Sequence, residues 1–159
     1  MHESSYLLMS YFINTYLTTS PLTILDIGSF DPNLNYYRLC SDHFYSGLDI
    51  TKGPGVNIVS KDLYHYPIQD NTYDVVISGQ TIEHVFDLHK WIKEISRVVK
   101  IGGLVCIIGP NTWIEHKYPV DCWRIFPDGM KFLLSEIGSL NVLECRSERN
   151  DTIGIAKKL

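Results

Sequence analysis

The stretch Thr23-Ile24-Leu25-Asp26-Ile27-Gly28-Ser29 decides the fold, together with Tyr45-Ser46-Gly47-Leu48-Asp49-Ile50 further on. Each reads as a buried strand that closes on a carboxylate. The first adds a glycine, which lets backbone approach a ligand closely. Adjacent strands of a parallel sheet, each with an acid at its carboxyl end, build the crevice where nucleoside cofactors bind. The second acid can accept hydrogen bonds from both ribose hydroxyls.

The loop after the first strand narrows the cofactor. A dinucleotide fold places G-x-G-x-x-G there, whereas this chain has Gly28-Ser29-Phe30-Asp31-Pro32-Asn33. That loop holds one glycine, and an acid that would repel a pyrophosphate. The expected ligand is a nucleoside without phosphates. S-adenosylmethionine fits, because its charged groups are a sulfonium and an amino acid.

Working outward, strands are expected at 22–27, 44–48, 56–59, 73–78 and 104–108. The run Tyr73-Asp74-Val75-Val76-Ile77-Ser78 is β-branched at its centre, as in a sheet covered on both faces. Residues 4–17 have helical potential and stop at Thr18-Thr19-Ser20-Pro21. A short helix is expected at 33–40, with Pro32 at its start. Apolar residues at 88, 91, 92, 95, 98 and 99 draw the stripe of an amphipathic helix, with Asp87 as N-cap. Lys100-Ile101-Gly102-Gly103 ends it. A further helix is expected at 127–136. Strands at 141–145 and 152–156 are joined by a turn over 147–151. Alternating strands and helices predict a three-layer α/β/α, Rossmann-like domain. Its seven-stranded sheet is mainly parallel, with one antiparallel strand from the terminal hairpin. The whole chain, 1–159, is read as one domain, with 1–20 an N-terminal helix packed on the core.

Bulk properties set limits. Hydrophobic residues make up 45% of the 159 residues, enough for a core, and the net charge of -4 gives no footprint for nucleic acid. The four cysteines, Cys40, Cys106, Cys122 and Cys145, include no C-x-x-C. Buried free thiols and a cytoplasmic location are expected. The apolar run at 6–17 is too short to span a bilayer and lacks the flanks of a signal peptide.

At this point the sequence resembles the class I S-adenosylmethionine-dependent methyltransferases, from about Leu22 onward. Ile24-Leu25-Asp26-Ile27-Gly28 is similar to the family's first motif, and Leu48-Asp49-Ile50 to its acidic ribose-binding strand end. Lys61-Asp62-Leu63, Pro67-Ile68 and Tyr73-Asp74-Val75-Val76 resemble its adenine region and fourth strand. Ile82-Glu83-His84-Val85 and Arg97-Val98-Val99-Lys100-Ile101-Gly102-Gly103 resemble the helix and glycine turn before the fifth strand. The common D-x-G-x-G-x-G is absent, since Ser29, Phe30 and Asp31 follow Gly28. A second resemblance lies in His116-Lys117-Tyr118-Pro119-Val120-Asp121-Cys122-Trp123-Arg124-Ile125-Phe126-Pro127. It looks like a H-x-Y-P-x-D-x-W-R-x-x-P segment of methyltransferases encoded near glycan or polysaccharide pathways.

The resemblance implies roles for individual residues. Asp26 lies near the amino group of the methionine part, with Gly28 and Ser29 beside it. Asp49, next to Ile50, takes the ribose hydroxyls. Asp62 accepts from the adenine amine, and Leu63 offers a backbone amide. Ser78, Gly79 and Gln80 line the carbon chain. His116 and His84 are candidate bases, histidine being the side chain best suited to take a proton near neutral pH. Tyr118, Asp121, Trp123 and Arg124 shape an acceptor pocket, and Trp113 adds an apolar wall. Plainer readings stand beside these: satisfied turn acids, a helix cap, a packed histidine, a surface histidine and an Asp121–Arg124 salt bridge.

No metal centre is expected, because His84 and His89 fall on different helix faces and no cysteine pair assists. The expected activity is methyl transfer by direct displacement from S-adenosylmethionine to a small-molecule or saccharide acceptor, with S-adenosylhomocysteine as product. Two rivals remain: a module that binds either compound without catalysis, and a nicotinamide-dependent oxidoreductase. A homodimer is left open, since an acceptor site could draw on a second subunit.

Overall fold

Alternation along the central strands places side chains on two faces. Ile24, Val75, Ile77, Cys106, Ile108, Ile153 and Ile155 point to one apolar cluster. Leu25, Ile27, Val76, Val105, Ile107 and Ala156 point to the other. A sheet buried on both sides needs helices on both sides. The computed structural model, which describes residues 3–19, 21–33 and 35–159, has them.

The order of elements is α1 (Glu3–Tyr16), β1 (Thr23–Ile27), α2 (Asn35–Leu39), β2 (Phe44–Asp49), β3 (Ile58–Val59) and β4 (Tyr73–Gly79). A 3-10 turn (Ile82–His84), α3 (Leu88–Val98), β5 (Val99–Pro110) and α4 (Pro127–Phe132) follow. A π turn (Leu133–Ile137), β6 (Asn141–Glu148) and β7 (Asp151–Lys157) complete the chain. The sheet has seven strands in the order β3-β2-β1-β4-β5-β7-β6. β7 runs antiparallel to both β5 and β6. Leu8, Met9 and Phe12 of α1 and Tyr36 of α2 cover one face. Trp91, Ile92 and Ile95 of α3 and Met130 of α4 cover the other. The expected three-layer architecture is the one observed.

Local differences have physical reasons. Asp31, not Pro32, starts α2: its Oδ2 accepts from the Asn35 N–H at 2.9 Å and its Oδ1 from the Asn33 N–H at 3.0 Å. Leu34, inside that expected helix, and Ser20, inside the expected stop signal, lie outside the described residues. Residues 100–103 do not end α3 as free turn. They form an excursion within β5, where the register passes from Tyr73↔Val99 to Val75↔Leu104. Lys158 holds the excursion to β7: its carbonyl accepts from the Gly102 N–H at 2.8 Å, and its N–H donates to Gly103 O at 3.0 Å. The terminal turn shrinks to Arg149-Asn150, and the Ser147 and Thr152 hydroxyls meet across the ladder at 2.8 Å. The third strand keeps only two of four expected residues, because Asn57 Oδ1 accepts instead from the Gly47 N–H at 2.9 Å. Asp87 caps α3 as expected, accepting from the Lys90 N–H at 3.0 Å.

All four cysteines are free thiols, and Cys40 and Cys106 are buried. Cys122 is exposed, against expectation, because it rides on the loop after β5. Among the described residues no helix is long and apolar enough to cross a membrane.

Candidate active site

The sheet order reverses between β1 and β4, so the loops after these strands diverge and leave a crevice. A cleft of about 200 Å³ opens there. Asp26, Gly28, Ser29, Gly79 and Gln80 line it, with Phe30, Tyr36 and Tyr45.

Asp26 is 2% exposed. The Tyr45 hydroxyl donates to its Oδ2 at 2.6 Å, while Oδ1 is buried with no hydrogen-bond partner among the described residues. Burial pushes the carboxyl up to about 7, against the pull of Tyr45 and with help from Asp31 and Asp49. An acid in that state favours an incoming cation such as an ammonium. The Ser29 hydroxyl is also buried without a partner among the described residues.

The Gly28 turn is held from two sides. Its N–H and that of Ser29 both donate to Leu48 O, at 2.8 and 3.1 Å. Gly28 has φ +80°, and a Cβ there would stand 1.9 Å from Thr81 Oγ1. Thr81 donates to Ile27 O at 3.2 Å, and Ser78 Oγ to the same carbonyl at 2.8 Å. Ser78 therefore supports the turn and is not a wall of the cleft. Gly79 leaves room for Tyr36, whose hydroxyl would lie 2.2 Å from a Cβ there. Gln80 donates through Nε2 to Asp151 Oδ1 at 2.8 Å and keeps a buried Oε1 without a partner among the described residues.

Asp49 sits at the tip of β2 beside the cleft. Its Oδ2 accepts from the Phe30 N–H at 3.2 Å and its Oδ1 from the Thr51 N–H at 3.0 Å, which leaves each oxygen further acceptor capacity. Ile50 follows it, 38% exposed. Asp62 and Leu63 lie past β3. Asp62 is exposed and closes a turn, accepting from the Tyr64 and His65 N–H groups at 2.8 and 3.1 Å. Asp49, Ile50, Asp62 and Leu63 flank the cleft lining rather than belong to it.

The loop after β5 folds back over the 3-10 turn. Cys122 N–H donates to Glu83 O at 2.7 Å, and Trp123 Nε1 to Val85 O at 2.7 Å. This brings His116 to His84, with ring centroids 5.1 Å apart, and Tyr118 packs edge-on against both. Both imidazoles face Glu83, at 3.7 Å from His84 and 3.9 Å from His116. Burial lowers the His84 pKa and raises that of Glu83 to about 7. Asp121 and Arg124 face each other, with Nη1–Oδ1 at 2.6 Å and Nη2–Oδ2 at 2.9 Å. The remaining Arg124 donors go to the Trp113, Ile114 and Trp123 carbonyls, so all five are used. Asp121 also accepts from the His116 N–H at 2.7 Å. The pair thus fixes the loop. Paired with Arg124, the Asp121 carboxyl falls well below the usual range.

The sequence reading missed Tyr36, Tyr45, Thr81 and Glu83 as parts of the site. Tyr45 carries the one usable signal, since it stands on the second site strand.

The sequence profile of the family described as "Methyltransferase domain" matches residues 30–107, from the loop after β1 through most of β5. A rice chloroplastic 2-methyl-6-phytyl-1,4-hydroquinone methyltransferase is 34% identical over 82 residues, covering 50% of this chain and 24% of its own. Residues 30–107 are a methyltransferase domain of the class I, S-adenosylmethionine-dependent kind. A probable S-adenosylmethionine-dependent methyltransferase of Mycobacterium tuberculosis is 34% identical over 98 residues, covering 58% of this chain and 36% of that protein. The match thus spans between about a quarter and a little over a third of these two relatives. A crystal structure of Burkholderia thailandensis 1,6-didemethyltoxoflavin-N1-methyltransferase, with 1,6-didemethyltoxoflavin and S-adenosylhomocysteine bound, shares the fold. It aligns over 98% of this chain and 79% of that one, with TM-score 0.76 and 13% identity. S-adenosylmethionine is the cofactor of the family, and the nicotinamide alternative falls.

Proposed function

We propose that this chain transfers a methyl group from S-adenosylmethionine to a small-molecule or saccharide acceptor by direct displacement. The observation that carries the reading is Asp26, a buried acid with an unpartnered oxygen at a strand tip, one strand away from Asp49. Asp26 holds the ammonium of the amino-acid part, and the Ser29 hydroxyl, without a partner among the described residues, lines the same cleft. Asp49 takes the ribose hydroxyls with the acceptor capacity its two backbone contacts leave. Asp62, Leu63 and Ile50 border the base. Gly79 and Gln80 line the carbon chain. When bound, the cofactor supplies a methyl made electrophilic by its sulfonium.

The chain's own contribution is alignment, which costs it no chemical step of its own. Tyr118, Trp123 and Trp113 border the approach, and the two tryptophans are 40% and 41% exposed. Half-exposed indoles suit the stacking of a sugar face or a planar ring. The rice relative is named for a hydroquinone acceptor, which supports a small molecule of that size. An oxygen acceptor must lose a proton, and His116 and His84 beside Glu83 are the groups placed to assist.

The test is formation of S-adenosylhomocysteine by purified protein against a panel of hydroquinones, phenols, sugars and sugar acids. Turnover with one class, lost in Asp26→Ala and Asp49→Ala, is expected. Cofactor binding without transfer to any member would favour a binding module instead.

A further inference from the structure

The fold joins a buried acid and two histidines from separate segments. Glu83 and His84 sit on the 3-10 turn, and His116 comes from the loop after β5. One carboxylate oxygen and one nitrogen of each imidazole all lie within 4.8 Å of one another. We propose that Glu83, His84 and His116 bind a divalent transition-metal ion of the Mn²⁺ to Zn²⁺ series, leaving coordination positions open to an oxygen of the acceptor.

Three observations carry this. The Glu83 side chain is 0% exposed, and neither carboxylate oxygen has a hydrogen-bond partner among the described residues. A buried carboxylate persists when a cation or a proton compensates it. Arg124, whose five donors are spent elsewhere, does not supply that compensation by hydrogen bonding.

The histidines are also oriented as ligands. His84 Nδ1 lies 2.5 Å from Val120 O, a contact that fixes the proton on Nδ1 and leaves the Nε2 lone pair toward Glu83. His116 turns Nδ1 to Ile114 O at 3.2 Å and Asp121 Oδ2 at 3.5 Å, and Nε2 to Glu83. Metal-bound histidines characteristically donate their other N–H to a carbonyl or a carboxylate. Here both histidines turn Nδ1 to a carbonyl, His116 also faces the Asp121 carboxylate, and Arg124 in turn holds Asp121.

The third observation is the donor chemistry and its size. Two neutral imidazoles and one carboxylate suit Zn²⁺, Mn²⁺, Fe²⁺ or Co²⁺ and leave at least one position open. Bonds of about 2.0–2.1 Å set ligands roughly 3.3 Å apart around a tetrahedral ion. The Nε2 to Oε1 separations of 3.7 and 3.9 Å reach that by closing a few tenths of an ångström. Spacing along the chain conceals the site, because its third ligand arrives by topology. The ion's use on an acceptor oxygen rests on the methyl-transfer reading, whereas its binding does not.

The test uses the full chain, freed of metal with a chelator, and titrated near neutral pH with Co²⁺ while visible absorption is followed. One equivalent is expected to bind with a spectrum of low-coordinate Co²⁺, and Zn²⁺ is expected to displace it. Affinity is expected to fall at least about tenfold in His116→Ala and Glu83→Gln and to stay unchanged in His65→Ala and His89→Ala. Circular dichroism checks each variant, and His116→Ala, on a surface loop, carries the test if Glu83→Gln misfolds. Stoichiometric binding lost in His116→Ala supports the site whether or not methyl transfer is detected. No stoichiometric binding, or binding equal in His116→Ala and the parent, overturns it.

Discussion

Replacing Asp26 by asparagine separates what the fold needs from what the ligand needs. The folded-state carboxyl is raised from 3.8 to about 7, chiefly by burial. A raised acid favours its protonated form in the folded state, so the charged form costs stability. That cost is absent below about pH 4, grows as pH rises and is complete above about pH 7. At 1.36 kcal/mol per unit it amounts to about 4 kcal/mol at most. An asparagine side chain would keep the shape and still accept from the Tyr45 hydroxyl, without the charge. Urea unfolding of both proteins from pH 4 to 8 is the assay. Asp26→Asn is expected to match the parent near pH 4 and to exceed it increasingly up to pH 7 or 8. The same variant is expected to bind S-adenosylmethionine about 10–100-fold more weakly, having lost a charge-assisted hydrogen bond worth about 1.5–3 kcal/mol. A stability difference that stays flat across that range, or a variant less stable at pH 8, would refute the reasoning.

Other outcomes follow from particular contacts. Gly28→Ala meets Thr81 Oγ1 at 1.9 Å in a backbone with φ +80°, and is expected to cost about 2–4 kcal/mol in urea unfolding. A Gly28→Ala/Thr81→Ala pair is expected to recover part of that loss, leaving the backbone share. Arg97→Ala strips partners from Glu94, whose side chain is 4% exposed, and frees the Tyr66 and Ile68 carbonyls and Asp70. A loss of about 3 kcal/mol is expected by the same measurement. Arg124→Lys cannot reproduce a five-donor fork. It is expected to lower turnover about 10–100-fold through displacement of the His116 loop, with cofactor affinity by calorimetry unchanged within about twofold.

The legible parts of this chain are those in which local pattern and global burial agree. The Ile24-Leu25 run of β1 and the Val75-Val76-Ile77 run of β4 are buried on both faces and so appear as apolar runs. α3 carries its stripe and its Asp87 cap within a few residues. Asp26 and Asp49 were readable because a strand end followed by a turn is a local signal. Contacts made across the fold left no such trace. Thr81 under Gly28, Tyr36 against Gly79 and Tyr45 on Asp26 are products of strand order. The Lys100-Gly103 segment reads as a helix end from its glycines, yet Lys158 pins it into the sheet from the far end of the chain. His84 and His89 share no face, and the histidine that does join His84 comes from the loop after β5. Asp31 reads from the sequence as an acid that would repel a pyrophosphate, and the structure adds that its carboxylate also holds the start of α2.

Crystals grown with S-adenosylhomocysteine test the assignment of the cleft most directly. The expected density places the amino group against Asp26 and the ribose hydroxyls on the Asp49 carboxylate, across the Gly28 turn. Product bound elsewhere on the molecule, or a cleft left empty at saturating concentration, would contradict it.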